Sequence, residues 1–332
     1  MSGVALVTGG AGFVGKPLVE KLLARGERVR VLDLAETGPA GAEHVRGSIT
    51  DPEAVAAAME GAVCVFHLAG DARLWAPDKT VFVRVNREGT EIVLAAAERA
   101  GVRKFVHCSS LTTLIGRKSP GKPFEADEMI RQEADDMLGP YPRSKLLAER
   151  AAEAAAARGL PVVIALPTEP LGPGDTAITP PTRMILDFLN GANPAYVDAI
   201  LNFVPIDALA DGLLACADRG RTGERYLLGG ENLEMAQLLA KLEDISGRKM
   251  PGMSLPFAVA FTAGLIETAL SDYVTKSPPK APLTGVRLAS RPARFSSEKA
   301  RRELGWSSSP VDPALRAAVD WLQAEGLVKA RG

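Results

Sequence analysis

Through the first 170 residues, short runs of consecutive apolar residues alternate with longer stretches whose apolar positions recur at helical spacing. Val4–Thr8, Val29–Asp33, Val45–Gly47, Cys64–Leu68, Lys104–Ser109 and Val162–Leu166 read as strands. Phe13–Arg25, Pro52–Glu60, Asn86–Ala100 and Tyr141–Arg158 read as helices. Unbroken apolar runs such as Val162-Val163-Ile164-Ala165-Leu166 suit strands covered on both faces. Strands separated by helices require crossover connections, so the pattern predicts an α/β fold with a doubly wound parallel sheet. The punctuation agrees. Asp51-Pro52 offers an N-cap followed by proline at the first helical position, and Gly26, Gly101 and Gly159 stand where a helix end needs a left-handed residue.

The alternation stops where Gly172-Pro-Gly-Asp175 to Pro181 turns rich in proline and glycine. The expected division is a first domain of residues 1–170, to which strands near 202–206 and 225–230 return, and a smaller, mostly helical C-terminal lobe of residues 171–201 and 231–332. The lobe holds the greasiest stretch of the chain, Leu255–Leu270. It contains Pro256 and Glu267 and falls short of the ~20 apolar residues that span a bilayer, which leaves a core helix, a substrate lid or a membrane-surface helix. The chain has 332 residues, 46% of them hydrophobic and 24% charged, as in a soluble globular protein. Lysine plus arginine (39) balance aspartate plus glutamate (40), so no basic field exists to hold nucleic acid. Cys64, Cys108 and Cys216 are far apart and unaccompanied by a histidine cluster, which argues against disulfides and metal and for a reducing cytoplasmic compartment. The first residues read as a strand rather than a signal peptide.

Chemistry concentrates at two places. Thr8-Gly9-Gly10-Ala11-Gly12-Phe13-Val14-Gly15 lies between the first strand and the first helix. Small residues there let backbone approach a pyrophosphate at a helix N-terminus, so Gly9, Gly12, Phe13 and Val14 are expected on a dinucleotide. The second strand ends in Asp33, where a carboxylate can accept hydrogen bonds from ribose hydroxyls and repel a 2′-phosphate. NAD is therefore favoured over NADP, although Arg28 and Arg30 are near enough in sequence to reach a phosphate. The second place is Tyr141-Pro142-Arg143-Ser144-Lys145, where the i, i+4 spacing sets phenol and ammonium on one helix face. A nearby ammonium lowers a phenol that titrates near ~10 in water, making Tyr141 a usable base.

Together these residues resemble the extended short-chain dehydrogenase/reductase family, within the NAD-dependent epimerase/dehydratase superfamily. The resemblance is carried by Thr8–Gly15, Asp33, His67-Leu-Ala-Gly70, Asn86-Arg-Glu-Gly-Thr90, Ser109-Ser110, Tyr141–Lys145, Pro167 with Gly172-Pro-Gly-Asp175, and Lys299–Trp306. Asp71–Asp78 and Gly223–Asn232 look like the hopanoid-associated sugar epimerase group, relatives of dihydroflavonol reductases and 3β-hydroxysteroid dehydrogenases. The chain departs from the family at Ser48, where an aspartate is usual near the adenine. The family's catalytic Ser or Thr commonly lies five residues before a glycine. Counting back from Gly116 gives Leu111, whereas the strand end gives Ser110, which is taken with Thr112 and Thr113 in reserve.

The resemblance implies an NAD(H)-dependent oxidoreductase that interconverts a secondary alcohol and a ketone on an apolar, steroid-, hopanoid- or flavonoid-like substrate. Tyr141 would be the general acid/base, Lys145 would lower its pKa and hold the nicotinamide ribose, and Ser110 would orient the substrate oxygen. Further cofactor contacts are implied for Ser48, Ile49, Leu68, Ala69, Pro167 and Thr168. Arg73, Trp75, Thr112 and Glu169 are candidates for the substrate cleft, with Met184–Phe188 and Phe257–Ile266 as an apolar wall. Helices around Glu88–Ala100 and Leu146–Arg158 imply a homodimer. The rival activity is an epimerase that retains NAD and acts on a nucleotide sugar; a rival from another class is a non-catalytic dinucleotide sensor. His67 and His107, lying on strands, read as packed structural residues.

Overall fold

The computed structural model describes residues 3–329. Its strands, in chain order, include β1 (Val4–Thr8), β2 (Arg28–Asp33), β3 (Glu43–Arg46), β4 (Ala62–His67), β5 (Lys104–Cys108), β6 (Val162–Pro167), β7 (Glu169–Leu171), β8 (Ile200–Pro205), β9 (Arg225–Leu228) and β10 (Glu231–Glu234). Seven of them make the central sheet, in the lateral order β9-β6-β5-β4-β1-β2-β3, and each neighbouring pair is parallel. This is the doubly wound Rossmann order, with its crevice where the winding reverses between β1 and β4.

Alternate residues of the strands build a core on each face. Val7, Val31 and Val106 pack against Leu18, Val19 and Leu22 of α1 (Gly15–Ala24). Leu6, Leu32 and Phe105, one position away, pack on the other face against α2 (Pro52–Met59), α3 (Gly89–Ala100) and α4 (Pro140–Ala157). Burying each such side chain contributes about 1.5–3 kcal/mol relative to exposure, and covering both faces is why the strands read as unbroken apolar runs. The Asp51 carboxylate caps α2 through the N–H groups of Glu53 and Ala54, and Gly101 ends α3 at φ 62°.

The other helices of seven residues or more are α5 (Pro180–Leu189), α6 (Ile206–Arg219), α7 (Met235–Ser246), α8 (Phe257–Leu270), α9 (Leu283–Ala289), α10 (Glu298–Leu304) and α11 (Val311–Ala324). The α6 helix joins the α1 face, through Leu209 and Leu213. A separate apolar cluster unites α5, α7 and α11 around Leu171, Phe203 and Leu233.

Two expectations are corrected here. The strand near 202–206 does not return to the central sheet: β8 pairs in parallel with β7 and antiparallel with β10. The edge of β6 that it would need is already occupied by β9, from Ile164–Arg225 to Pro167–Leu228. The residues Met184, Ile185, Leu186 and Phe188, read as a substrate wall, are helix core: the last three are buried and Met184 packs against them.

Candidate active site

The first turn after β1 shows why small residues are needed. Gly9 has φ +72°, and a Cβ there would stand 2.8 Å from the Ala69 nitrogen. A Cβ at Gly15 would meet the Gly9 carbonyl oxygen at 2.2 Å. The loop is therefore pressed onto the end of β4 and onto its own helix, whose N-terminus closes on the crest where the Lys16 N–H donates to the Gly12 carbonyl at 3.0 Å. Gly12, Phe13 and Val14 form that crest between β1 and α1. Asp33 closes the other side: Oδ2 accepts from the Ala11 N–H at 3.0 Å and Oδ1 from the Ala35 N–H at 3.0 Å. An acidic strand end beside a glycine cradle fits a dinucleotide, with phosphates on the loop and ribose at the carboxylate.

Around this cradle the structure brings together other expected residues. The Leu68 N–H donates to the Thr8 carbonyl and the Ala69 N–H to Thr8 Oγ1, so both lie at the carboxyl end of β4 beside the glycine loop. Thr168 is buried at the end of β6 and its Oγ1 has no partner among the described residues. Ile49 is buried against Gly89, where a Cβ would come 2.8 Å from Ile49 Cδ1. Ser48 turns onto its own loop: its Oγ lies 2.7 Å from Thr50 Oγ1 and accepts from the Thr50 N–H. His67 bridges Thr8 Oγ1 (2.7 Å) and Thr90 Oγ1 (2.9 Å), and burial drives its pKa down to about 3, as a neutral structural residue requires. His107 is likewise held neutral by burial.

The second constellation sits where β5 ends and α4 begins. Tyr141 Oη donates to Ser110 Oγ at 3.4 Å, and Ser110 Oγ also accepts from the Thr112 N–H (3.2 Å) and Thr112 Oγ1 (3.0 Å). Ser110 Oγ is thus the centre of a hydroxyl cluster, within hydrogen-bond reach of both Tyr141 and Thr112. Phe82 closes on the Tyr141 ring edgewise at 6.4 Å. One turn along α4, Lys145 Nζ donates to the Cys108 carbonyl at 2.7 Å. The expected lowering of the phenol by this ammonium is not what dominates: burial pushes Tyr141 up to about 12, and the Ser110 hydrogen bond pulls it partly back. Burial also lowers Lys145.

Sequence reasoning gave no site role to three residues that hold this arrangement. Asn86 lies in a π-helical stretch, Val83–Glu88, of a kind often found at functional sites. Its Nδ2 donates to Ser144 Oγ and the Asp71 carbonyl, while Oδ1 accepts from the Asp71 N–H. Glu149 follows Lys145 by one more turn. It accepts from Ser109 Oγ at 2.5 Å and Thr113 Oγ1 at 2.8 Å, the residues flanking Ser110, and its Oε1 is 3.0 Å from Arg225 Nε. Spacing along α4 signals Glu149, whereas nothing in an apolar strand signals Arg225.

Other candidates are committed elsewhere. The Arg73 guanidinium grips Asp71 two residues back. Trp75 is buried, donates from Nε1 to Asp272 at 2.6 Å, and carries Lys79 Nζ 4.4 Å over its ring. Glu169 has an unpartnered Oε2 among the described residues, and burial pushes its carboxyl up to about 8 against one stabilising contact, the Asn202 N–H. The folded chain thus keeps a proton that the unfolded chain loses near pH ~4.3. Stability from this group is fully present below that value and declines as pH rises toward about 8. Glu169→Gln should match the parent at pH 5 and exceed it at pH 8 in urea unfolding; identical pH slopes would show a freely ionising carboxyl.

Comparison with known proteins gives consistent relatives. The sequence model of the NAD dependent epimerase/dehydratase family matches residues 5–229. A putative dihydroflavonol 4-reductase of Synechocystis is 35% identical over 340 aligned positions, covering 100% of this chain and 98% of that one. Sterol demethylase protein B of Methylococcus capsulatus is 33% identical, covering 97% and 99%. Among solved structures, gox2253 superposes with a TM-score of 0.84 at 35% identity, covering 98% of this chain and 99% of the other.

Proposed function

The chain belongs to the NAD-dependent epimerase/dehydratase family, and from that membership we propose that it is an NAD(H)-dependent oxidoreductase that interconverts a secondary alcohol and a ketone on an apolar, polycyclic substrate. The observation that carries the reading is the gathering of Ser110, Tyr141 and Lys145 at the end of β5, beside the glycine cradle. Pro167 and Thr168 would hold the nicotinamide, which when bound would give the hydride in ketone reduction and take it in alcohol oxidation. Ser110, at the centre of the hydroxyl cluster, holds the substrate oxygen. Tyr141 gives a proton to that oxygen or takes one from it, and Lys145 holds the ribose. Fixing the carbinol carbon between these groups accounts for much of the acceleration by position alone.

The apolar substrate class rests on Glu169 and on the relatives' names. Buried Glu169, which keeps its proton at neutral pH, meets no cation at the end of β6, so nothing beside it would balance a dianionic diphosphate. Two relatives are named for dihydroflavonol and sterol, both polycyclic and mostly apolar. In the same reading, α3 and α4 pair with a second copy to form a homodimer, and the three free cysteines suit a reducing cytoplasm.

Two measurements test the assignment. A cyclic apolar ketone should oxidise NADH in stoichiometric amount, followed by cofactor absorbance, while UDP-glucose leaves the melting temperature unchanged, because a ligand bound by the native state must raise it. Thermal stabilisation by UDP-glucose, joined to epimer formation without added NAD, would replace the reading with the epimerase one. Asp33→Ala should weaken NADH binding by about 1.5–3 kcal/mol, the value of a hydrogen bond to a charged group, and narrow the gap to NADPH. Tighter binding of NADPH than NADH by the parent chain would sink the cofactor assignment.

A further inference from the structure

Eight of the eleven large apolar side chains exposed among the described residues fall between Met253 and Val274, on and around α8. The helix buries only a stripe of small residues, Ala260 and Gly264, continued by Ser271, and Gly264 lets Val286 of α9 approach closely. Its polar groups also face inward. Glu267 Oε2 accepts from the Ala281 N–H at 2.9 Å, Thr268 Oγ1 from the Leu283 N–H at 3.0 Å, and Asp272 Oδ1 from Trp75 and Lys79. The outer face, carrying Val259, Leu265, Ile266 and Leu270 at 47–54% exposure, therefore has no ionised group.

Cations stand at both ends of this face. Lys276 and Lys280 follow it, both exposed. At its start a cavity of about 300 Å³ is lined by Phe257, Phe261 and Leu138 together with Arg117, Arg287 and Arg291, and by no carboxylate. The Arg117 and Arg287 guanidiniums meet no acceptor among the described residues. Arg291 donates to the Arg117 carbonyl, yet its buried Nε finds none.

We propose that the α8–α9 hairpin docks the protein flat on an anionic lipid bilayer, its bare helix face in the acyl layer and Arg117, Arg287 and Arg291 on headgroup phosphates. An apolar face between cations is the pattern of an interfacial helix. The stretch Phe257–Thr275 has the length and composition to cross a membrane. Its inner side, however, is bonded to α9 and to the Trp75 loop, so it lies on the bilayer instead. A second copy is the poorer occupant: pairing α8 about a two-fold axis, parallel or antiparallel, sets cationic ends against cationic ends.

The test is co-sedimentation of the full chain with vesicles of phosphatidylcholine alone and with vesicles containing about one-third phosphatidylglycerol. The parent should sediment only with the anionic vesicles. Leu265→Glu with Ile266→Glu should abolish binding. Arg117→Gln with Arg287→Gln should weaken it about 30-fold, both with the parent's melting temperature because these side chains are not core. The proposal is overturned if the parent stays in the supernatant with anionic vesicles or the Leu265/Ile266 variant binds as well as the parent. It is also overturned if that variant halves the mass by light scattering, which would give the face to a second copy. Stabilisation by inorganic phosphate without vesicle binding would reassign the arginines to a free anion.

Discussion

Tyr141→Phe is expected to lower kcat by about 10²- to 10⁴-fold while the Kd for NADH stays within about twofold of the parent, since only the acid/base hydroxyl is removed. The ring and its edgewise contact with Phe82 are kept, so the loss belongs to the proton and not to packing. Lys145→Met should damage both quantities, because in this reading Lys145 touches the ribose as well as the proton path. The phenol's position near about 12 adds a directional signature. Protonated Tyr141 dominates through neutral pH, so ketone reduction should be flat from pH 6 to 8, whereas alcohol oxidation, which needs the phenolate, should climb with pH. Full turnover in Tyr141→Phe would mean that the proton moves through another group. Comparing Ser110→Ala with Thr112→Val then decides which hydroxyl holds the substrate, since Thr112 stands 3.0 Å from Ser110 and donates to it.

The central sheet was legible because its chemistry is local and repetitive. Val162–Leu166 can only be a strand covered twice, and Asp51-Pro52 or Gly101 can only punctuate a helix in one way. The glycine loop and the Tyr141–Lys145 spacing were legible for the same reason, as short patterns with short-range causes. What escaped depends on partners far apart in sequence. β8 looks like any central strand until β9 takes the free edge of β6. The apolar residues of α5 and α8 look alike on paper, yet α5 is enclosed by α7 and α11 while α8 is covered on one stripe. The phenol's pKa escaped because spacing along a helix says that two groups are neighbours, not that burial will raise the phenol while the ammonium is turned onto the Cys108 carbonyl.

Arg225→Met should destabilise the fold by about 3–5 kcal/mol, the cost of leaving one member of a buried ion pair without its partner. Arg225 and Glu149 are each about 2% exposed. Arg225 Nη1 also donates to the carbonyls of Glu128 and Ile130, so its removal orphans two backbone acceptors as well as a carboxylate. Burial lowers the Arg225 pKa, with Glu149 the leading influence that opposes it. In a melting experiment the loss should appear as a fall of roughly 5–10 °C. The double variant Glu149→Gln with Arg225→Met should recover part of it, since the uncompensated charge is gone while Ser109 and Thr113 keep an oxygen to donate to. Because Ser109 and Thr113 bracket Ser110, the single variant should also raise KM in what remains folded, and the double variant should restore it. A melting temperature unchanged in Arg225→Met would show that the buried pair contributes nothing net to the fold.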